Sequence, residues 1–91
     1  MASGDRHLEV SIVAFSGAVW SGTGVYVSAP TMAGPIGIYP RHQPVLALLQ
    51  DGEVKVQLDG GGHIKVHVTG GFLSIDQDLV TVIADHGERV D

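Results

Sequence analysis

Apolar and polar residues alternate with period two along much of the chain, a pattern typical of strands with one buried face. Leu8, Val10 and Ile12 alternate with polar residues, and the segments 54–58 and 64–68 repeat the pattern. Further apolar runs occupy 19–29, 36–39, 45–49, 72–75 and 79–84. No stretch of about 11 residues shows apolar positions at the helical period of about 3.6. The pattern therefore predicts an all-β chain.

Turn-forming residues separate these runs. Glycine supplies 13 of the 91 residues, and glycine adopts the positive φ angles that tight turns need. Eight or more short strands cannot form one flat sheet with both faces in water, so the chain predicts a two-layer β-sandwich or flattened barrel. The run 79–84 is apolar on both faces and predicts a central strand, whereas the residues after it are polar and patternless.

The hairpin over 53–68 admits two registers that keep both apolar faces together. One places Lys55 opposite Lys65, and the other pairs Lys55 with His67 and Gln57 with Lys65. Like charges directly opposite are unfavourable, so we predict the second register, with a loop over residues 59–63.

Composition excludes several classes of function. The net charge is −5, with five Lys and Arg against ten Asp and Glu. Nucleic acids and anionic lipids attract clustered cations, so neither is an expected partner. The chain has no cysteine, which removes disulfides, thiol catalysis and zinc–thiolate sites. No apolar run approaches the roughly 20 residues that cross a bilayer.

Candidate catalytic chemistry is sparse. His63 and His67 are four residues apart on one predicted strand, about 13 Å, which is too far for one metal ion. His42 lies in a proline-bounded turn with no nucleophile or carboxylate beside it in sequence. Asp76 and Asp78 fit a hairpin turn. We therefore expect no catalytic residue, metal or cofactor, and note instead the proline-rich stretch 31–44 as a candidate recognition surface.

That stretch carries a family resemblance. Residues 34–46, GPIGIYPRHQPVL, resemble the signature G-x-[IL]-G-I-x-P-x-H-x-P-[LV]-[LV] of the epsilon subunit of F-type ATP synthases, called delta in mitochondria. The segments LEVSIV, WSG, GGFLSI and VTVIAD, at 8–13, 20–22, 70–75 and 80–85, are similar to further motifs of that family. The resemblance covers about residues 7–86.

The resemblance implies a ten-stranded β-sandwich in the central stalk, a non-catalytic rotor part linking the gamma subunit to the c-ring. It also implies a peripheral position on the cytoplasmic face of the plasma membrane and coupling of proton flow to ATP synthesis. The residues expected toward the c-ring are Thr31, Met32, Gly34, Pro35, Ile36, Arg41 and His42. Those expected toward gamma are Val45, Ala47 and Leu49.

The sequence departs from the family pattern in two places. Pro35 stands where many members have an acidic residue. The family usually continues into a C-terminal helical hairpin that restrains hydrolysis and in some bacteria binds ATP, whereas this sequence stops at Asp91. Either the sequence is cut short or this member lacks the hairpin, so we assign the chain no C-terminal helical hairpin, no inhibition of hydrolysis and no ATP binding. The expected organisation is a flexible segment over 1–6, the sandwich over 7–86 and a polar tail over 87–91.

Two other functions are compatible with a small all-β chain. A biotinyl or lipoyl carrier domain would need a lysine at a hairpin tip, whereas Lys55 and Lys65 lie within predicted strands. A barrel metalloenzyme would need His42, His63 and His67 to converge.

Overall fold

The computed structural model describes residues 7–90, and every regular element in that range is a β-strand. Residues 1–6, predicted to be flexible, and Asp91 lie outside the described residues. The ten strands are β1 Leu8–Ala14, β2 Gly17–Gly24, β3 Tyr26–Thr31, β4 Gly34–Ile38, β5 Val45–Leu48, β6 Gly52–Gln57, β7 His63–Thr69, β8 Phe72–Asp76, β9 Leu79–Ala84 and β10 His86–Arg89. The all-β prediction of about ten short strands is confirmed.

The strands form two five-stranded sheets. Sheet A has the order β2-β1-β9-β8-β5, and sheet B has the order β10-β7-β6-β3-β4. All pairings are antiparallel except that of β1 with β9, which is parallel. β9 occupies the middle of sheet A, as its apolar residues on both faces predict. The two sheets pack as the predicted sandwich.

The core is built from the alternate residues of both sheets. Leu8, Val10 and Ile12 on β1 are at most 2% exposed, as are Val80 and Val82 beside them on β9. The core residues contributed by sheet B are Val27, Ala29, Ile38, Val54, Val56, Ile64, Val66 and Val68. Burying one such aliphatic side chain contributes about 1.5–3 kcal/mol, so the alternation read from the sequence is the main source of stability.

The segment 19–29, predicted as one strand, is two strands in different sheets. β2 ends at Gly24 in sheet A, and β3 begins at Tyr26 in sheet B. Gly24 is buried, and a Cβ there would lie 2.6 Å from Val56 and 3.0 Å from the Gln57 carbonyl oxygen. The crossing between sheets therefore needs glycine. Pro30 lies within β3, opposite Pro35 of β4.

The polar C-terminal residues also belong to the sandwich. His86–Arg89 forms β10, an edge strand that pairs with β7. The prediction of a patternless tail over 87–91 is therefore wrong up to Arg89. A short edge strand with little buried surface needs no apolar alternation, which is why the pattern missed it.

The predicted register of the β6–β7 hairpin is wrong by two residues. Lys55 lies opposite Lys65, and Gln57 lies opposite His63. Three glycines, Gly60, Gly61 and Gly62, have φ of 88°, 105° and 84° and close the loop. The N–H of Gly61 donates to the Leu58 carbonyl (3.2 Å), and the N–H of Leu58 donates to the Gly62 carbonyl (3.1 Å). The tight turn sets the register and overrides the repulsion of the two lysines.

The sandwich has two ends with different turns. The upper end holds the β1–β2 turn at 15–16 and the β3–β4 turn at 32–33, and the lower end holds the β8–β9 turn at 77–78 and the loop 39–44. The β5 strand runs from the lower end to the upper end, where the Met32 N–H donates to the Leu48 carbonyl (2.9 Å).

Candidate docking surface

The outer face of sheet A carries a row of apolar side chains that crosses all five strands. Each member is the registered partner of the next, and paired residues project from the same face. The row, called the apolar strip, consists of Ala18, Val13, Ile83, Phe72 and Leu48. Leu48 is 65% exposed, and Phe72 and Ile83 are 39% and 38% exposed. Exposed apolar residues placed side by side mark an interaction surface better than scattered ones.

Large apolar side chains extend the strip at both of its ends. Phe15 in the β1–β2 turn is 96% exposed, and Met32 in the β3–β4 turn is 65% exposed. Leu46, two residues before Leu48 on β5, is 75% exposed on the same face. The upper half of this face is therefore apolar from one edge strand to the other.

A row of hydroxyl groups lies next to the strip, toward the lower end. Ser21, Ser11, Thr81 and Ser74 are registered partners across β2, β1, β9 and β8. The following row contains the only strand carboxylates of this face within residues 7–90, Glu9 and Asp76. The outer face of sheet A thus grades from apolar to hydroxyl to acidic.

The β3–β4 turn at the upper end is fixed by one buried hydroxyl. Thr31 is 7% exposed; its Oγ1 donates to the Gly34 carbonyl and accepts the Ala33 N–H at 3.2 Å. Gly34 has φ of 117°, a conformation that L side chains rarely adopt. These bonds satisfy the buried Thr31 and hold Met32 at the tip of a defined turn.

The lower-end loop is fixed by a different set of bonds. Arg41 has φ of 70°, and its N–H donates to Oδ1 of Asp78 in the β8–β9 turn. The Nδ1–H of His42 donates to the Gln43 carbonyl at 2.7 Å. The rings of Tyr26 and Tyr39 pack with centroids 4.6 Å apart.

The structure divides the residues predicted to face the c-ring. Thr31, Met32 and Gly34 lie at the upper end, whereas Arg41 and His42 lie at the lower end. Pro35 and Ile36 lie on β4, which runs between the two ends and is about 16 Å long at 3.3 Å per residue. The stretch 31–44 is therefore a strand with a turn at each end and not one recognition loop.

The residues predicted to face gamma lie on the inner side of β5 and at its upper end. Leu49 is 4% exposed in the core, Val45 packs against the core, and Ala47 is half-buried. The intervening Leu46 and Leu48 are the exposed residues of β5. Both alternating sets of residues on β5 are apolar, so the sequence alone could not show which set faces the core. A shift of one residue exchanges the inner and outer faces of a strand.

The histidines and lysines do not assemble a second site. His63 and His67 lie on β7 on the outer face of sheet B, and His42 lies in the lower-end loop. Within residues 7–90, no three His, Asp or Glu side chains are grouped closely enough to bind a metal. Lys55 and Lys65 lie within β6 and β7, not at a hairpin tip as a carrier domain would need.

No helix long and apolar enough to cross a bilayer occurs within residues 7–90.

Sequence comparison finds similar proteins over nearly the whole chain. Residues 7–90 match the family described as ATP synthase, Delta/Epsilon chain, beta-sandwich domain. The chain is 47% identical over 77 residues to a Micrococcus luteus protein named ATP synthase epsilon chain, covering 85% of each chain. It is 40% identical over 82 residues to a Mycobacterium leprae protein of the same name, covering 89% of this chain and 68% of that one.

Two solved structures share the fold. A chain of the Euglena gracilis mitochondrial ATP synthase superposes with a TM-score of 0.86 at 15% identity, over 94% of this chain and 57% of that one. A chain of the Tetrahymena thermophila mitochondrial ATP synthase central stalk and c-ring has a TM-score of 0.70 at 14% identity, over 88% and 64%. This chain thus spans less than two thirds of either chain.

Proposed function

Because the chain belongs to the ATP synthase delta/epsilon family, we propose that it is a non-catalytic rotor subunit of an F-type ATP synthase. In this role it binds the gamma subunit and the c-ring and turns with them, so that proton flow through the ring is coupled to ATP synthesis. The catalytic sites belong to other subunits. The proposal needs no cofactor and assigns no ATP binding to this chain.

The observation that carries the proposal is the apolar strip. A free-standing domain gains nothing from aligning five apolar side chains on a solvent-facing row, whereas a partner protein buries such a row with a gain in free energy. The strip includes Leu48 on β5, the strand that the family resemblance assigns to gamma. We therefore assign the gamma contact to the strip and to Leu46, in place of Val45, Ala47 and Leu49.

The c-ring contact is assigned to the upper-end turn that carries Met32. The turn is held by Thr31, and it adjoins the strip through the bond between Met32 and Leu48. Gamma and the c-ring would then contact neighbouring surfaces of one rigid body. Arg41 and His42, at the other end of β4, lie outside this proposed contact.

The proposal also gives a location. A chain held between gamma and the c-ring would be a peripheral component on the cytoplasmic face of the plasma membrane, retained there through the complex. The net charge of −5 gives the chain no overall attraction to anionic lipid.

The test is the affinity of the chain for the gamma subunit of the same organism. We expect Leu48→Ser to weaken binding by about tenfold or more, because a buried leucine contributes about 1.5–3 kcal/mol. Leu79→Ser is the matched control, since Leu79 is 47% exposed on the same face but in the lower, acidic row. Titration calorimetry or surface plasmon resonance measures both variants.

Three outcomes are informative. A loss confined to Leu48→Ser supports the assignment of gamma to the strip. Equal effects of the two substitutions contradict that assignment and leave the rotor role standing. If the unaltered chain binds neither gamma nor the assembled rotor, the proposed function is wrong.

A further inference from the structure

The apolar strip has a definite shape that limits what can cover it. It runs perpendicular to the strands. On β2, β1, β9 and β8 it is one side chain wide, because hydroxyl-bearing residues form the next row, and on β5 it widens to include Leu46. It crosses five strands, which are four spacings of about 4.8 Å, so it is about 19 Å long. A narrow apolar line of this length matches the apolar stripe of an α-helix of about 13 residues, at 1.5 Å per residue.

The charges around the strip have one sign. Asp85 follows the end of β9 at the upper end of the sandwich, where its N–H donates to the Thr69 carbonyl (3.1 Å), and Glu9 and Asp76 lie two rows below the strip. Among residues 7–90, the lysines and arginines lie elsewhere: Lys55 and Lys65 on the outer face of sheet B, Arg89 on the edge strand β10 and Arg41 in the lower-end loop. The outer face of sheet A is therefore acidic wherever it is charged.

We propose that the apolar strip takes a basic amphipathic helix, about four turns long, laid across the five strands of sheet A. This inference rests on the proposed function and names the element of the rotor partner that binds. The helix places its apolar stripe on Val13, Ile83, Phe72 and Leu48. Lysines and arginines beside the stripe face Asp85 on one side and Glu9 and Asp76 on the other.

The width of a helix fits the distance between the apolar strip and the acidic row. A helix with its side chains is about 10–12 Å wide, and the acidic row lies about 13 Å from the strip, four residues along each strand. Long lysine and arginine side chains reach past the hydroxyl row to that distance while their aliphatic stems cover it. The uncharged hydroxyl row costs little to cover because its groups can bond to the polar flank of the helix.

Site-specific photo-crosslinking in the assembled ATP synthase rotor tests the inference. The probe is p-benzoylphenylalanine, introduced singly in place of Ala18, Phe72 or Leu48. The control is the same probe in place of Lys55 on sheet B. Phe72 and Leu48 are one strand spacing apart, and Ala18 and Phe72 are three. On a helix, crosslinks from Phe72 and Leu48 should fall 3–4 residues apart, and those from Ala18 and Phe72 about 10 residues apart.

The results separate the two proposals. Crosslinks with that spacing on one lysine- or arginine-bearing segment, absent from the Lys55 position, establish the helix. Crosslinks from Ala18 and Phe72 that fall about four residues apart show that the partner segment is an extended strand, which overturns the inference. Crosslinks to scattered positions, or to an acidic segment of a rotor subunit, also overturn it. The proposed rotor function survives in each of these cases. Failure of all three strip positions to crosslink any rotor subunit overturns both the helix and the proposed gamma contact.

Discussion

At the scale of single residues, Gly71 shows how one missing side chain keeps two strands in register. Its φ is 102°, and a Cβ there would overlap the carbonyl oxygen of Ile83 and lie 2.6 Å from the Cα of Ala84. Gly71 precedes β8, and its own carbonyl accepts the Leu49 N–H at 2.9 Å. The residue therefore lets β8 begin directly against β9 and joins β5 to the same point.

Gly71→Ala should destabilise the chain by roughly 3 kcal/mol, because backbone strain adds to steric overlap with β9. Gly61→Ala is the matched control. Gly61 has nearly the same φ, 105°, but open space around a built Cβ, so only the strain of about 1 kcal/mol remains. Urea unfolding of both variants measures the difference. Equal losses would show that the contact of Gly71 with β9 contributes nothing.

At the scale of elements, the β6–β7 hairpin shows turn geometry prevailing over electrostatics. Lys55 and Lys65 lie directly opposite each other, an arrangement that costs some tenths of a kcal/mol. The same register places Glu53 opposite His67, and on the other side of β7 His67 is the partner of Glu88. The glycine loop fixes all of these pairs together.

Lys65→Glu should stabilise the hairpin by about 0.5 kcal/mol, since an opposite-charge pair replaces a like-charge pair. Lys65→Gln, which only removes the repulsion, should give a smaller gain. The gain of Lys65→Glu should shrink in 1 M salt, where the Debye length is about 3 Å. Denaturant unfolding at low and high salt checks this; a loss of stability at low salt would contradict the observed register.

The elements also show how far the sequence predicts this fold. Alternation located β1, β6 and β7 because each buries one face and exposes the other to water, and apolar runs located β8 and β9. It missed β10, whose edge position requires few apolar residues, and it could not tell which residues of β5 face the core, because both faces of that strand are apolar. Alternation could not predict the apolar strip, because its five residues come from five strands and become neighbours only through the pairing of strands in sheet A.

At the scale of the whole molecule, the parallel pairing of β1 with β9 closes sheet A. Ile12 lies beside Val82, seventy residues along the chain, and both are fully buried. β1 therefore has only one of its two neighbours in the sheet, β2, until β9 pairs with it. Contacts so distant in sequence slow folding, because a long loop must be closed before they form.

We expect refolding in one phase, with a relaxation time between about a millisecond and a second, as for other β-sandwiches. Trp20, the only tryptophan, lies on β2 and packs partly buried against the core. Its fluorescence should therefore recover together with the far-ultraviolet circular dichroism of all strands. Stopped-flow measurements compare the two signals, and an earlier recovery of Trp20 would show that the β1–β2 hairpin folds without β9.

The direction of the apolar strip has a mechanical consequence. A neighbour seated across the strands touches β2, β1, β9, β8 and β5 at once. Under the proposed rotor role, a tangential load from gamma is then divided among five strands, whose interstrand hydrogen bonds resist it together. If the neighbour bound β5 alone, the same load would break the hydrogen bonds between this edge strand and β8 one after another.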